Sequence, residues 1–80
     1  MSTDVTVPLV GEGLEFAVIL EWKRASGDYV SRGEVLAEME GEKAVFEVES
    51  PADGYLLQLA SPGSELPVGS VIARISDTAP

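Results

Sequence analysis

An internal repeat with a spacing of 36 residues constrains the fold more than any other feature of this sequence. The segment 27–39 aligns with 63–75, and four of the thirteen aligned positions are identical. The identical pairs are Gly27 and Gly63, Gly33 and Gly69, Val35 and Val71, and Ala37 and Ala73. Two repeats are too few for a solenoid, which needs about three or more. The repeat therefore predicts two similar half-domains, each a small sheet whose apolar face is buried only against the other.

Short alternating segments between turn residues predict β-strands. Apolar residues recur at every second position in the segments 3–9, 14–22, 34–40, 44–50, 54–60 and 70–75. Glycines and prolines separate these segments, as in small sandwiches and barrels. The segment 14–22 also has the propensity of a short helix, but glycines bound it and no N-cap precedes it, which favours a strand. Three aromatic residues on these strands are predicted to lie in the core: Phe16, Trp22 and Phe46.

The composition excludes several classes of function. The chain has 80 residues, 14 acidic against 5 basic side chains, a formal net charge of −9, and neither cysteine nor histidine. Thiolate or imidazole catalysis, disulfides and the usual zinc sites are therefore excluded, and no catalytic or metal-ligating residue is predicted. The acidity argues against nucleic acid as a partner. No apolar run approaches the ~18 residues of a membrane span, and the first residues do not resemble a signal peptide.

The length predicts one domain over residues 1–76. The last four residues, 77–80, are small and polar, like the start of a linker. The absence of cysteine fits a reducing compartment.

The centre of the chain predicts a hairpin whose polar turn contains Gly41, Glu42 and Lys43. Gly41 is predicted to adopt the positive φ of a tight turn. Five acidic residues occupy the predicted outward positions around this lysine: Glu38, Glu40, Glu42, Glu47 and Glu49. The position that the repeat relates to this hairpin falls at the chain ends, so only one half of the repeat has such a hairpin.

Lys43 is predicted to lie at or beside the tip of this hairpin, with its side chain in solvent. The surrounding acids favour its charged form, which makes it a poor base and a weak nucleophile. A rigidly presented amine can instead be acylated by another enzyme and then carry a tethered group. From the hairpin alone, an ordinary solvated lysine remains the alternative.

Several motifs with joint spacing carry a resemblance to a known family. They lie at 7–13, at 27–36 (Gly-Asp-x-Val-x-x-Gly-Glu-x-Leu), at 38–44 (Glu-x-Glu-x-Glu-Lys-Ala), at 51–54 (Pro-x-x-Gly), and at Gly63, Leu66, Gly69 and Ile72. On these motifs, which span roughly residues 4–76, the chain resembles the biotinyl/lipoyl attachment domain family, and its lipoyl branch most closely. It departs from the family pattern at Glu42, where Asp is usual, and at Gly41, where Thr or Ser is common.

The resemblance implies a barrel-sandwich hybrid fold, a flattened barrel or sandwich. This fold has two similar antiparallel four-stranded sheets related by quasi-twofold symmetry. It also implies that Lys43 is the attachment site of lipoic acid, with Gly41, Glu42 and Ala44 as the hairpin context. The domain would then be a carrier and not an enzyme, and the longer chain around it would be a dihydrolipoyl acyltransferase of a 2-oxo acid dehydrogenase complex.

The same resemblance implies a set of protein partners. A lipoate ligase or lipoyl transferase would modify the lysine. A thiamine-diphosphate-dependent 2-oxo acid decarboxylase, the acyltransferase core and a flavin-containing dihydrolipoyl dehydrogenase would then use the carrier, in the cytoplasm or the mitochondrial matrix. The loop 9–14 is expected to lie near the hairpin and to influence the choice of partner.

Two alternatives come from other classes of protein. One is the biotin carrier of a carboxylase, although biotin-carrying relatives have methionine on both sides of their lysine, where this chain has Glu42 and Ala44. The other is an unmodified structural domain, for which long flanking helical segments would be expected. The carrier protein of glycine cleavage also shares parts of the motif but is clearly longer.

Overall fold

In the computed structural model, which describes residues 2–8, 15–42 and 44–79, every regular element is a β-strand. The strands are β1 (Ser2–Thr6), β2 (Phe16–Trp22), β3 (Tyr29–Val30), β4 (Val35–Glu40), β5 (Val45–Glu49), β6 (Gly54–Gln58), β7 (Glu65–Pro67) and β8 (Val71–Ser76). The segment with ambiguous propensity is a strand, β2. Its alternation of buried Ala17 and Ile19 with more exposed neighbours has the period of two that a strand requires.

The eight strands form two antiparallel four-stranded sheets, which confirms the predicted all-β architecture. One sheet has the order β1-β8-β6-β3 and the other β5-β4-β2-β7. The two orders correspond strand by strand when β1 is matched with β5, β2 with β6, β3 with β7 and β4 with β8. The sheets are therefore related by a quasi-twofold operation. Each sheet takes two strands from each half of the chain: β1 and β3 join β6 and β8, and β2 and β4 join β5 and β7. The prediction that each half forms a sheet by itself is therefore wrong, because the strands of the two halves interleave in both sheets.

The backbone hydrogen bonds repeat with the same symmetry. Gly33 N donates to Ser50 O at 2.8 Å, and Gly69 N donates to Val7 O at 3.0 Å. Strand β4 has a bulge at Leu36, where it pairs with β5, and β8 has a bulge at Ile72, where it pairs with β1. Both of these residues are fully buried. The extra residue of each bulge lets consecutive side chains enter the core. The sequence repeat is therefore a repeat of backbone geometry.

The core lies between the two sheets and is aliphatic. Its fully buried large side chains come from both halves: Val7, Ile19, Val30, Leu36, Met39, Leu56, Ile72 and Ile75. Trp22 and Phe46 are partly buried against this cluster, and Trp22 Nε1 donates to Ala60 O at 3.1 Å. The prediction of core positions is confirmed for these two aromatic residues.

For Phe16 the core prediction is wrong, because its side chain is 50% exposed. Apolar residues alternate on both faces of β2, so the pattern alone leaves open which face is inside. Pairing with β7 decides it: Ala17 lies opposite Leu66 on the inner face, and Phe16 lies opposite Pro67 on the outer face. A bulge between Ile19 and Glu21 then shifts the alternation, so that Trp22 reaches the core.

Candidate functional site

The hairpin between β4 and β5 is held in register up to its tip. Glu40 pairs with Val45, and Gly41 N donates to Ala44 O at 2.8 Å. Between Gly41 and Ala44 the sequence has only two residues, Glu42 and Lys43. Lys43 lies outside the described residues. Its two neighbours, Glu42 and Ala44, are both exposed. The structure therefore confirms a hairpin at this place, and the position of Lys43 at its tip stays a prediction.

The predicted positive φ of Gly41 is wrong. Among the described residues, positive φ is confined to Gly27, Gly33, Gly54, Gly63 and Gly69. Gly41 instead continues the ladder of β4, as its hydrogen bond to Ala44 shows. Glu42, the first residue of the loop, does not have a positive φ either. Turns of types I′ and II′ are therefore excluded, because both types require a positive φ at the first loop residue. The hairpin tip therefore does not depend on the special freedom of glycine.

The outer face of the β5-β4-β2-β7 sheet is strongly acidic. Of the five predicted outward acids, Glu38 is partly buried and the other four are exposed. The strand register adds Glu21, which lies opposite Glu38, while Glu38 lies opposite Glu47. These three carboxylates form a row across three strands, an arrangement that is locally unfavourable for like charges. Such an arrangement sets up a negative field beside the hairpin.

The equivalent row of the other sheet has a different character. There Leu57 lies opposite Arg74, and Arg74 lies opposite Asp4. Arg74 Nε is 3.2 Å from Asp4 Oδ1, so this row is neutralised by its own ion pair. The row of Glu21, Glu38 and Glu47 also has an ion pair, between Lys23 and Glu21, but it sets one cation against three carboxylates and so keeps a net negative charge.

Lys23 lies on the same acidic face, beside Glu21. Its Nζ is 3.1 Å from Glu21 Oε2. The hydrogen bond to Glu21 raises the pKa of Lys23, and the charges of Glu21, Glu38 and Glu47 add to this effect. The ammonium group of Lys23 is therefore held in an ion pair with Glu21.

We expect the pKa of Lys23 to lie above its ordinary value and to fall when Glu21 is replaced by Gln. Because the pKa is raised in the folded state, the associated stability is present at neutral pH and is lost as the pH rises through the alkaline range. NMR titration of ¹³C-methylated lysines measures the shift. An unchanged Lys23 pKa in Glu21→Gln would contradict this assignment of cause.

The acidic residues of the family-like motif around Gly27 and Gly33 stabilise turns. Asp28 Oδ2 accepts a hydrogen bond from Ala25 N at 2.9 Å, and Glu34 Oε1 accepts one from Ser31 N at 3.0 Å. Arg24 Nε lies 3.7 Å from Asp28 and 3.2 Å from Glu34. These side chains therefore serve the fold. Gly27 and Gly54 are also turn or strand-entry residues with positive φ, in line with their predicted role.

Two predicted features fall outside the described residues. They are Lys43 itself and the loop 9–14, which was expected to lie near the hairpin. The sequence pattern also failed to identify Phe16 as a surface residue beside the hairpin. Its exposed position follows from the pairing of β2 with β7, which the sequence pattern does not reveal.

Comparison with known proteins agrees with the fold and the hairpin. The family model described as "Biotin-requiring enzyme", which covers biotin and lipoyl attachment domains, matches residues 3–75. The chain belongs to the biotinyl/lipoyl attachment domain family. This membership confirms the resemblance carried by the hairpin and turn motifs.

Curated relatives of this family member are acyltransferase components. The chain is 36% identical over 80 residues to the dihydrolipoyllysine-residue succinyltransferase component of the 2-oxoglutarate dehydrogenase complex of Rickettsia felis, covering 99% of this chain and 20% of that protein. It is 39% identical over 77 residues to the dihydrolipoyllysine-residue acetyltransferase component of the pyruvate dehydrogenase complex of Corynebacterium glutamicum, covering 95% of this chain and 11% of that protein.

A mitochondrial relative gives a similar match. The acetyltransferase component of the pyruvate dehydrogenase complex of Caenorhabditis elegans is 33% identical over 75 residues, covering 91% of this chain and 15% of that protein. The chain thus spans a fifth or less of the length of these three relatives.

No segment of the described residues forms a helix long and apolar enough to cross a membrane. Within the same part of the chain, no group of three or more acidic side chains is arranged to hold a metal ion.

Proposed function

We propose that this chain is a covalent lipoyl carrier domain of a 2-oxo acid dehydrogenase complex, with lipoic acid attached through an amide bond to Lys43. The observation that carries the proposal is the hairpin tip. The hydrogen-bonded Gly41 and Ala44 leave Glu42 and Lys43 as a two-residue loop, in a chain of the biotinyl/lipoyl family. This hydrogen bond holds the two strands in register on either side of the position that Lys43 occupies in the sequence.

The described residues around the tip fit a tethered group. Glu42 and Ala44 are exposed, so a modifying enzyme can approach from solvent. Acylation of Lys43 Nζ forms an amide and removes one positive charge, which changes the formal net charge from −9 to −10. When bound, lipoic acid would supply a dithiolane that accepts an acyl group and electrons; the chain's own contribution is to hold and orient this group.

The acidic face next to the hairpin gives the carrier a means of recognising its partners. Its row of Glu21, Glu38 and Glu47 favours approach by basic protein surfaces and disfavours acidic ones. The proposed partners are a lipoate ligase or lipoyl transferase, the decarboxylase, the acyltransferase core and the flavin-containing dehydrogenase. Tethering to a shared assembly would make each encounter effectively intramolecular.

Lipoic acid is favoured over biotin as the attached group. The residues next to Lys43 are Glu42 and Ala44, where biotin-carrying domains have methionines. The names of the relatives from Rickettsia felis and Corynebacterium glutamicum also specify a dihydrolipoyllysine residue. We further propose that residues 77–80 begin a linker to the rest of an acyltransferase chain, located in the cytoplasm or the mitochondrial matrix.

The proposal is tested by intact mass after incubation with a lipoate ligase, lipoic acid and ATP. We expect one lipoyl adduct on the wild-type chain and on Lys23→Arg, and none on Lys43→Arg. Lys23→Arg is a matched control because it removes the other side-chain amine of the chain. Circular dichroism should show that both variants are folded.

Three results would contradict this proposal. They are the absence of an adduct on the wild-type chain, an adduct that persists in Lys43→Arg, and biotinylation by a biotin protein ligase at a rate comparable to lipoylation.

A further inference from the structure

Two tyrosines lie side by side on the outer face of the β1-β8-β6-β3 sheet. Tyr29 on β3 pairs with Tyr55 on β6, and their ring centroids are 5.2 Å apart at an interplanar angle of 81°. This edge-to-face arrangement is one that aromatic rings prefer. Tyr29 is 55% exposed, whereas the next residue of β3, Val30, is fully buried and supplies the core contact of that strand. We call Tyr29 and Tyr55 the tyrosine pair.

The fold does not require aromatic rings at these two positions. The repeat aligns Tyr29 with Glu65, and in the other sheet Glu65 of β7 pairs with Val18. A glutamate and a valine therefore satisfy the same strand pairing. Leu57, the next outward residue of β6 after Tyr55, is also exposed, so the tyrosine pair is part of a larger apolar patch. Contiguous exposed apolar surface of this kind indicates a contact site.

The chain leaves the sheet directly beside the tyrosine pair. Ser76, the last residue of β8, pairs with Tyr55, so Ser76, Tyr55 and Tyr29 form one row across three strands. Ile75 and Leu56, the sequence neighbours of Ser76 and Tyr55, are buried in the core. Because side chains alternate along a strand, Ser76 and Tyr55 both lie on the outer face.

Hydrogen bonds of Ser76 turn the chain toward that outer face. Thr78 N donates to Ser76 Oγ at 3.2 Å, and the two hydroxyl oxygens are also 3.2 Å apart. Such local bonds from Ser and Thr side chains to the backbone stabilise turns. Since Ser76 Oγ lies on the outer face, residues 77–79 leave β8 on the side of the sheet that carries the tyrosine pair.

The next residue in the sequence, Pro80, has the chemistry to pack on the tyrosine pair. Proline restricts the preceding residue, Ala79, to extended conformations. Extended proline-containing segments are recognised by aromatic side chains on protein surfaces. The segment is tethered three residues beyond Thr78's hydrogen-bonding partner Ser76 and its turn, so the high effective concentration populates even a weak contact. A second copy of this chain is disfavoured, because each copy has a net charge of −9.

We propose that the tyrosine pair is the docking site for the segment that starts at Pro80, the first part of the linker. This inference rests on the proposal that residues 77–80 begin a linker. The contact fixes the direction in which the linker leaves the domain. The hairpin between β4 and β5 belongs to the other sheet, so the docked segment leaves the outer face of that sheet uncovered.

The test is NMR spectroscopy of the isotopically labelled 80-residue chain and of three variants, Tyr29→Ser, Tyr29→Phe and Phe16→Ser. Tyr29→Phe keeps the ring. Phe16→Ser is the matched control, since it removes an aromatic ring that is 50% exposed on the outer face of the other sheet. The measured quantities are nuclear Overhauser effects between the aromatic protons of residue 29 and the Pro80 ring, and the ¹H-¹⁵N heteronuclear Overhauser effect of Ala79.

We expect contacts between Pro80 and the aromatic ring at position 29 in wild type, Tyr29→Phe and Phe16→Ser. The Pro80 ring protons of these three chains should also be shifted upfield by the aromatic ring current. In Tyr29→Ser the upfield shift should be lost, and the heteronuclear effect of Ala79 should fall because the segment is released. Circular dichroism should show that all four chains are folded.

The docking assignment is overturned if wild type shows no contact, or if the upfield shift of Pro80 persists in Tyr29→Ser. An equal loss in Phe16→Ser would also overturn it, because the effect would then not depend on the neighbouring ring. Self-association in sedimentation that Tyr29→Ser abolishes would assign the tyrosine pair to a second copy instead. Lipoylation of the same chains is measured separately: its absence contradicts the carrier function, whereas the NMR contacts decide the docking of Pro80.

Discussion

Replacing Gly54 by alanine is expected to destabilise the domain by about 3 kcal/mol or more, because strain and overlap act together. Gly54 has a φ of 154°, which side chains rarely adopt. A Cβ at this position would overlap the carbonyl oxygen of Ser76 and approach Ile75 Cγ2 to 2.9 Å. The Ser76 oxygen belongs to the backbone of β8 and cannot move without disturbing the sheet. Since small domains have only about 5–15 kcal/mol of stability, this loss is severe.

Gly69→Ala is the matched control for Gly54→Ala. Gly69 has a φ of 92°, but a Cβ there meets no described atom within 4 Å. Its cost should be limited to the backbone term of about 1–2 kcal/mol. Urea denaturation followed by circular dichroism and Trp22 fluorescence measures both variants. If the two lose the same free energy of unfolding, the overlap with β8 is not the reason for glycine at position 54.

The second prediction concerns the length of the hairpin loop. Inserting one glycine between Gly41 and Glu42 should reduce the rate of lipoylation by about 100-fold or more and leave the fold intact. The ladder below the Glu40–Val45 pair is unchanged by the insertion, but the tip now holds three residues and must adopt another turn. Misplacing a reacting group by about 1 Å can cost about 100-fold in rate.

Gly41→Ser is the control for loop length. It keeps two residues between the Gly41 and Ala44 positions, and Gly41 does not use a positive φ. It should therefore be lipoylated at close to the wild-type rate. Intact mass against time with a lipoate ligase measures all three chains. Normal lipoylation of the insertion variant would show that loop length does not define the site.

Much of the fold could be predicted because the sequence repeats. The identical positions, such as Gly33 and Gly69, occupy equivalent turns, and Leu36 and Ile72 occupy equivalent bulges. The short strands β3 and β7 were not identified from periodicity, since two or three residues are too few to alternate. Their partners lie in the other half of the chain, which local pattern does not reveal.

The candidate site was predicted in outline but not in its backbone detail. Hairpin position and acidic surroundings follow from alternation and charge. The conformation of Gly41 does not, because glycine is compatible with both signs of φ and only the observed ladder excludes the positive one. Phe16 was placed in the core because a large apolar ring is usually buried, whereas pairing with β7 puts the small Ala17 inside.

The mixing of the two halves of the chain in both sheets has a consequence for folding. Each sheet takes two strands from β1–β4 and two from β5–β8, so neither half can form a complete sheet by itself. Loss of either half removes two strands from both sheets at once. Unfolding should therefore be a single cooperative transition. The β4–β5 hairpin is then either held on a complete two-sheet scaffold or lost together with it, because its two strands come from different halves of the chain.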